Sequence, residues 1–377
     1  MKFEPYPFEK LNLLLENIKP NTKYTPSILT IGEPQFDTPI NIVKQLQNSC
    51  HLLNKYPKSS AKIDLKIAMT NFIKRRFDIQ LDLNQIIATF GTREVLFNLP
   101  QFLLFDIEHS VMAYTNPYYK IYEGASVATK SSVIHIDLKE ENNFKPQLLS
   151  DKQFQMCDIV ILNFPNNPTG ATIDEKQLSL WVQKALEFDF VLINDECYSE
   201  IYNNTKPPSI LQACKLIKNL NFKNCLALNS ISKRNSAPGL RSGFVCGDEN
   251  IIKKYQTYRT YVGCAIPLPL QQASIVAWND DTNAEKFRKI YAQNMALAHD
   301  ILGVVIPEAT FYIWLDVSDE IKFTQQLYEK KNIKVLPGSY LGQAKTKKQY
   351  VRIALVENNQ NTKNILTQLK MFIDEFK

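Results

Sequence analysis

The sequence predicts an α/β protein, with a large domain built on a mainly parallel sheet covered by helices and a smaller α+β domain drawn from both ends of the chain. Three observations carry that prediction. From about Ile63, helical stretches such as IDLKIAMTNFIKRRF, with apolar residues three or four apart, alternate with short apolar runs such as SVMAYTN, DIVILNF and DFVLINDE, which is the texture of βα units. The runs at 157–164 and 190–195 are apolar on successive residues rather than on every second one, as strands covered on both faces are. Beyond residue 270 the order changes to a long helical stretch followed by strand, helix, strand and helix, the mark of a second, α+β unit.

Taken in order, residues 1–40 form an arm that belongs in part to the smaller domain. Proline and turn-forming residues dominate there, one helix is expected at 8–17, and the segment is expected to pack across both units. Residues 41–284 carry the βα alternation of the large domain. A helix is expected from 271 to about 301, then a strand in TFYIWLDV, a helix near 321–330, a strand in YVRIAL and a C-terminal helix, so that 285–377 make the smaller domain. No period of about 20 to 50 residues repeats, which excludes solenoids and propellers.

Composition narrows the function. The chain has 377 residues, 45% hydrophobic and 22% charged, enough to bury a sizeable core. Its 44 Lys and Arg against 38 Asp and Glu leave a charge of +6. The basic residues are scattered rather than gathered in blocks, which argues against nucleic acid and leaves anionic small molecules open. The seven cysteines form no CxxC pair, so a reducing compartment fits. With no apolar leader in MKFEPYPFEK and no run near the ~18 apolar residues of a membrane span, a cytoplasmic protein without a membrane partner is expected. Four histidines without ligand spacing predict no metal. The 11 glycines, well under half of the usual ~7%, should mark places where no side chain fits. Neither GxGxxG nor GxxxxGKS/T is present, so dinucleotide and P-loop readings lose their support.

Ligands of such sheets bind beyond the carboxyl ends of the strands, and five segments place polar residues there. CLALNSISKRNSAPGLRSGFVCGD sets Ser230, Ser232, Lys233 and Arg241 just past an apolar run. A lysine partly withdrawn from water beside an arginine loses proton affinity and becomes able to form a Schiff base; in isolation the same string also reads as a solvated loop. FVLINDECYSEIY ends a strand with Asp195 and adds Tyr198. A carboxylate buried there needs a cationic partner, or else it caps the next helix. NFPNNPTGA pins a tight turn that leaves Asn166 and Asn167 pointing out of the backbone. TFGTREVLF passes through Gly91 into a helix whose first N–H groups, at Thr92 and Arg93, make a phosphate cradle, or simply an ordinary βα turn. Arg352 in YVRIAL lies in an apolar strand, where it pairs with an internal acid or, facing a cleft, clamps a substrate carboxylate. Together these are the parts that pyridoxal phosphate chemistry on an amino acid requires.

NFPNNPTGA, NDECYSEIY, SISKRNSAPGLRSGF and YVRIAL, in that order, resemble the signatures of the class I/II, fold-type I aminotransferases, and the resemblance covers nearly the whole chain. PYPFEKL, IGEP, KYPKS, YYKIYEGA, YRTYVGCA, QQASIVAWND and VLPGSYLG look more specifically like the N-succinyldiaminopimelate aminotransferase branch. The resemblance implies pyridoxal 5′-phosphate as cofactor, with Lys233 as the Schiff-base lysine and the base at the substrate Cα. It puts Asp195 on the pyridine nitrogen, Tyr198 and Asn167 on the ring's 3′ oxygen, and Tyr119 on the ring face. Thr92 and Arg93 through their backbone, with Ser230, Ser232 and Arg241, would hold the phosphate. Tyr56 would reach the same phosphate from a second subunit of a homodimer. Arg352 would bind the α-carboxylate, assisted by Asn167 and the Gly32 backbone. Two positions depart from the family pattern: Ser60 and Ala61 stand where a glycine is usual, and Phe36 stands where a histidine is expected in closer relatives. A second arginine for a distal carboxylate is not assigned, Arg93 and Arg259 being the candidates.

The implied reaction moves an amino group from glutamate to N-succinyl-2-amino-6-oxopimelate, so the partners are amino acids and 2-oxo acids. An aspartate or other α-amino acid aminotransferase, a C–S lyase and a non-catalytic regulatory protein on the same fold are the alternatives. Regulatory relatives bring a DNA-binding helix-turn-helix ahead of the domain, for which the forty residues before the first βα unit have no room.

Overall fold

The structure, a computed structural model, describes residues 3–342 and 348–376. Twelve strands lie among them. β1 (Ser27–Ile28) belongs to the arm. β2 (Ile86–Thr89), β3 (Val111–Asn116), β4 (Ser132–Asp137), β5 (Ile159–Leu162), β6 (Val191–Asp195), β7 (Cys225–Ser230) and β8 (Gly243–Gly247) form one sheet. β9 (Tyr312–Val317), β10 (Ile333–Lys334), β11 (Leu336–Pro337) and β12 (Gln349–Ala354) lie in the C-terminal part.

The large sheet has the order β2-β8-β7-β6-β5-β3-β4. Its pairings are parallel except for those of β8, which runs antiparallel to β2 and β7. A parallel return needs a crossover of about a dozen residues or more, usually a helix. Residues 231–242 between β7 and β8 are taken up by a four-residue helix and a 3-10 turn, so the chain reverses there instead. β5 and β7 are buried at every position, which is why β5 reads as an unbroken apolar run and β7 as one up to Asn229. One face packs around Phe72, Phe244 and Trp278, with Trp278 5.1 Å from each of the other two rings. The helix Ile63–Phe77 supplies Phe72 from a stripe that also buries Leu65, Met69 and Ile73. The opposite face packs around Tyr114, Tyr122 and Tyr255.

In the C-terminal part β11, β12 and β9 make an antiparallel sheet over a core that includes Phe311, Leu327, Val351 and Leu369. The arm joins it: β1 pairs in parallel with β10, and Leu11 and Leu15 pack on Leu336 and Leu341. The arm also touches the large sheet's loops, where Thr38 donates to the Ser236 carbonyl at 2.8 Å and Ser236 donates to that of Phe36 at 2.5 Å.

Two elements differ from the sequence expectation. The arm helix runs Pro7–Leu15 rather than 8–17, starting at a proline whose missing N–H costs nothing in the first turn. The single helix expected at 271–301 is two, Leu268–Asn279 and Asp281–Leu302. Asp280 breaks it at φ −95°, ψ 82°, because its carboxylate accepts from Asn283 N at 2.9 Å and Asn41 Nδ2 at 2.9 Å. A short acid that can satisfy the orphan donors of a new helix favours the cap over the helix interior.

Ala61 has φ 62° and is pinned by its own N–H to the Lys58 carbonyl at 3.0 Å and by Lys62 N to Gln271 Oε1 at 2.7 Å. The left-handed region costs an alanine about 1–2 kcal/mol, of which the greater flexibility of an unfolded glycine would offset about 0.5–1. Ala61→Gly is therefore expected to raise stability by up to about 1 kcal/mol and the melting midpoint by about 1–3 °C; an unchanged or lower midpoint in thermal denaturation would contradict the strain.

Candidate active site

A cavity of about 520 Å³ opens at the carboxyl ends of β5, β6 and β7. Thirteen residues are given a role at the site by the family resemblance, and the cavity is lined by twelve of them: Gly32, Thr92, Arg93, Tyr119, Asn167, Asp195, Tyr198, Ser230, Ser232, Lys233, Arg241 and Arg352. Tyr56 is the exception: it stands fully exposed, away from this cavity.

At each strand end, successive polar residues divide the work. After β5, Asn166 serves the turn, its Oδ1 accepting from Thr169 N at 3.1 Å and Thr169 Oγ1 at 2.7 Å. Asn167 faces the cavity, where its Oδ1 accepts from Arg352 Nη1 at 2.8 Å. After β6, the capping that sequence left open for Asp195 falls to its neighbour. Glu196 accepts from Ile210 N at 2.8 Å and Ser209 Oγ at 3.0 Å at the start of the helix Ile210–Leu216, and burial pushes its carboxyl up to about 7. Asp195 instead accepts from Tyr122 Oη at 2.9 Å and Cys197 N at 3.3 Å. Burial raises its carboxyl above the usual range, and these two donors hold it back only in part.

Lys233 lies in the short helix Ile231–Arg234, whose start is fixed by Ser230: its Oγ accepts from Ser232 N at 3.1 Å and pairs with Ser232 Oγ at 2.8 Å. The Lys233 ammonium donates to the Gly32 carbonyl. Loss of water around it pushes its proton affinity down to about 8, with Arg352 and Arg241 adding to the depression and Cys197 and Glu33 opposing it. On the same wall Gly91, at φ 76°, begins the helix Thr92–Leu103, and a side chain there would place Cβ 2.3 Å from Arg241 Nη2. Arg241 is itself left-handed at φ 53° and donates to the Pro238 carbonyl at 2.9 Å. A helix start, two serine hydroxyls and a guanidinium thus converge, the arrangement that binds phosphate.

Arg352 is 4% exposed. It donates to Asn167 and, at 2.5 Å, to the Thr30 carbonyl, while its Nε is buried without a partner. Among the described residues no carboxylate pairs with it, so its charge is met by neutral acceptors alone. Arg93 has no acid partner among the described residues either; it donates to Tyr119 Oη at 2.7 Å and Tyr6 Oη at 3.2 Å. Arg259, the other sequence candidate for a distal carboxylate, is excluded. It is fully buried and committed to Glu94 through Nε at 2.9 Å and Nη2 at 3.0 Å, outside the cavity lining. Phe36 stacks on Phe287 at 5.3 Å and is likewise absent from the lining. Sequence reasoning missed Tyr122, which lies in the first turn of the helix Ile121–Thr129 with its ring 5.9 Å from that of Tyr119, and Tyr312, whose only signal is an aromatic pair opening an apolar strand.

Among the described residues no three or more His, Cys, Asp and Glu side chains group as a metal site, and no helix is long and apolar enough to cross a membrane. An amine of lowered proton affinity, a buried acid and an anion-binding wall around one cavity fit pyridoxal phosphate, which brings an aldehyde, a basic ring nitrogen and a phosphate. The profile of the family described as aminotransferase class I and II matches residues 27–369. The crystal structure of aminotransferase AspB from Helicobacter pylori 26695 superposes with a TM-score of 0.96 at 48% identity, covering 99% of this chain and 100% of that one. An LL-diaminopimelate aminotransferase of Aquifex aeolicus is 30% identical over 84% of each chain, and an aspartate aminotransferase of Bacillus subtilis 26% identical over 92% of this chain and 90% or more, namely 91%, of its own.

In cofactor-free protein Lys233 releases its proton near pH 8, whereas in the unfolded chain it holds it to the ordinary value of 10.5. The unfolded chain therefore binds the proton more tightly, and the part-buried ammonium costs about 3 kcal/mol below pH 8, a cost that fades as pH rises to 10.5. Lys233→Met is expected to be the more stable protein at pH 7 and to lose that advantage by pH 10.5. Denaturant unfolding across this range checks it; a difference independent of pH would refute the lowered affinity.

Proposed function

Because the chain belongs to the class I and II aminotransferases, which depend on pyridoxal 5′-phosphate, we propose that it transfers an amino group from glutamate to N-succinyl-2-amino-6-oxopimelate. The observation that carries this reading is the charge balance of the cavity. Among the described residues, Arg93, Arg241 and Arg352 line it without acid partners, beside Lys233 and the Glu123-paired Lys120, against the buried carboxylate of Asp195. Three anions satisfy three arginines: the phosphate at Arg241 with Ser230, Ser232 and the start of the helix Thr92–Leu103, the substrate α-carboxylate at Arg352, and a second carboxylate at Arg93. Both glutamate and the succinylated keto acid carry that second carboxylate, and the keto acid adds a third on its succinyl group that would extend beyond these three arginines. The strings resembling the N-succinyldiaminopimelate branch, and a relative named for LL-diaminopimelate, support the longer substrate.

When bound, the cofactor supplies an electron sink for charge developing at the substrate Cα. Lys233 would hold it through its aldehyde carbon and, once freed by the incoming amino group, carry the proton at the substrate Cα; an amine titrating near 8 is suited to both. Asp195 would keep a proton on the ring nitrogen, oriented by Tyr122. Tyr198 and Asn167 would hydrogen-bond the ring oxygen, Tyr119 would cover the ring face, and the Gly32 backbone would help fix the α-carboxylate. Tyr56, exposed on this chain, would complete the phosphate site of a second copy in a homodimer.

Aspartate is the second reading, because the same Arg93 would serve a short diacid and two of the similar proteins are named AspB and aspartate aminotransferase. With glutamate as donor, N-succinyl-2-amino-6-oxopimelate is expected to support 2-oxoglutarate release with a kcat/KM at least about 10-fold above that of oxaloacetate. The reverse order would make the protein an aspartate aminotransferase, and release of a thiol, pyruvate and ammonia from cystathionine in the absence of any keto acid would make it a lyase. Asp195→Asn is expected to keep the visible absorption of the bound cofactor and to lose about 10²–10⁴-fold in kcat; full activity in that variant would remove Asp195 from the ring nitrogen.

A further inference from the structure

Tyr312 opens β9 and touches three site residues at once. Its hydroxyl lies 3.0 Å from that of Tyr198. Its ring carries the Arg352 guanidinium 4.4 Å above the centroid. Its hydroxyl also fills the space beside Gly32, where a Cβ would come within 1.8 Å of it. It is 2% exposed and wedged by Phe311, whose ring centroid is 4.9 Å away.

We propose that Tyr312 is a positioning residue with two separable actions: its ring fixes the plane of the carboxylate-binding Arg352, and its hydroxyl supplies the hydrogen bond that orients the Tyr198 hydroxyl toward the cavity. The proposal rests on the transaminase reading for the roles of Arg352 and Tyr198, and on the geometry above for the rest. Arg352 is held at Nη1 by Asn167 and at Nη2 by the Thr30 carbonyl. Two in-plane hydrogen bonds leave the guanidinium free to tilt, and a ring face beneath it removes that freedom. Tyr198 has the complementary problem. A buried hydroxyl with one proton and two acceptor positions needs one fixed partner before the other side has a defined direction. The Tyr312 hydroxyl is that partner, and with it donating, the Tyr198 proton is left for an acceptor in the cavity. Gly32 is then a glycine for a stated reason: the space its side chain would need belongs to Tyr312.

Two variants separate the actions. Tyr312→Phe keeps the ring and removes the hydroxyl; the pH midpoint of the bound cofactor's visible absorption is expected to move by about half to one unit, the worth of one hydrogen bond, while the KM for glutamate and the affinity for maleate, a non-reacting dicarboxylate, stay within about twofold. Tyr312→Leu removes both; maleate binding by calorimetry is expected to weaken a further roughly 2- to 30-fold, the range of a cation–π contact, with a matching rise in KM. Equal effects of the two variants on maleate, or a lowered melting midpoint with neither readout moved, would reduce Tyr312 to a packing residue. A wild-type protein that binds maleate but develops no visible band with pyridoxal phosphate would sink the transaminase reading, and the Leu variant's maleate affinity would still decide the stacking.

Discussion

A lysine ammonium moved out of water is the constraint around which the site is arranged. Lys233 follows β7 and Asp195 ends β6, and because the two strands are parallel neighbours the amine and the carboxylate emerge on the same edge of the sheet. Burial weakens the hold of Lys233 on its proton, and the neighbouring Arg352 and Arg241 weaken it further. The same burial strengthens the hold of Asp195 on its own. One low-dielectric cavity thus weakens the hold of the amine on its proton, strengthens that of the acid, and leaves an excess of positive charge among the described lining residues.

The contrast with buried charges elsewhere shows that this excess is local. Arg234 pairs with Asp281 at 2.8 Å, Arg76 with Glu200 at 2.5 Å, and Arg259 with Glu94 at 2.9 Å. Each of these buried guanidiniums has been given an acid, as the cost of desolvating a lone charge requires. Arg352 is as deeply placed as they are and has only neutral partners. The backbone shows a related pattern. Arg241 accepts a left-handed conformation that returns its side chain over the turn at Gly91, and strain of that kind persists where the surrounding structure fixes it, commonly at sites that bind ligands.

The helix Thr92–Leu103 shows how far such pairing reaches. Glu94 accepts from Phe90 N at 2.8 Å and binds Arg259, which in turn donates to the Ala88 carbonyl at 3.1 Å and the Cys264 carbonyl at 3.2 Å. The turn at the start of this helix is thereby tied to a strand end and to the loop after the helix Glu249–Val262. The anion site has a stiff floor, while its mouth is roofed by the arm residues Tyr6, Pro7 and Phe8.

The sequence by itself determined the mainly parallel sheet and marked Lys233, Asp195, Asn167 and Arg352 as candidates, each with a purely structural reading beside the functional one. A fully buried strand writes an unbroken apolar run, and a polar residue directly after it, or a cation inside it, breaks that pattern visibly. Only the tertiary structure decided which polar neighbour did which job. Asp195 or Glu196 could each cap a helix on sequence grounds, and either Arg93 or Arg259 could await a carboxylate; the choice depended on partners 165 residues away for Arg259 and 14 for Glu196. Tyr312 and Tyr122 stayed hidden for the same reason, since their hydroxyl partners lie 114 and 73 residues off along the chain. Periodicity reports what a residue is buried against on average. Which atom it meets is fixed when the chain has folded and the sheet has brought distant strand ends to one edge.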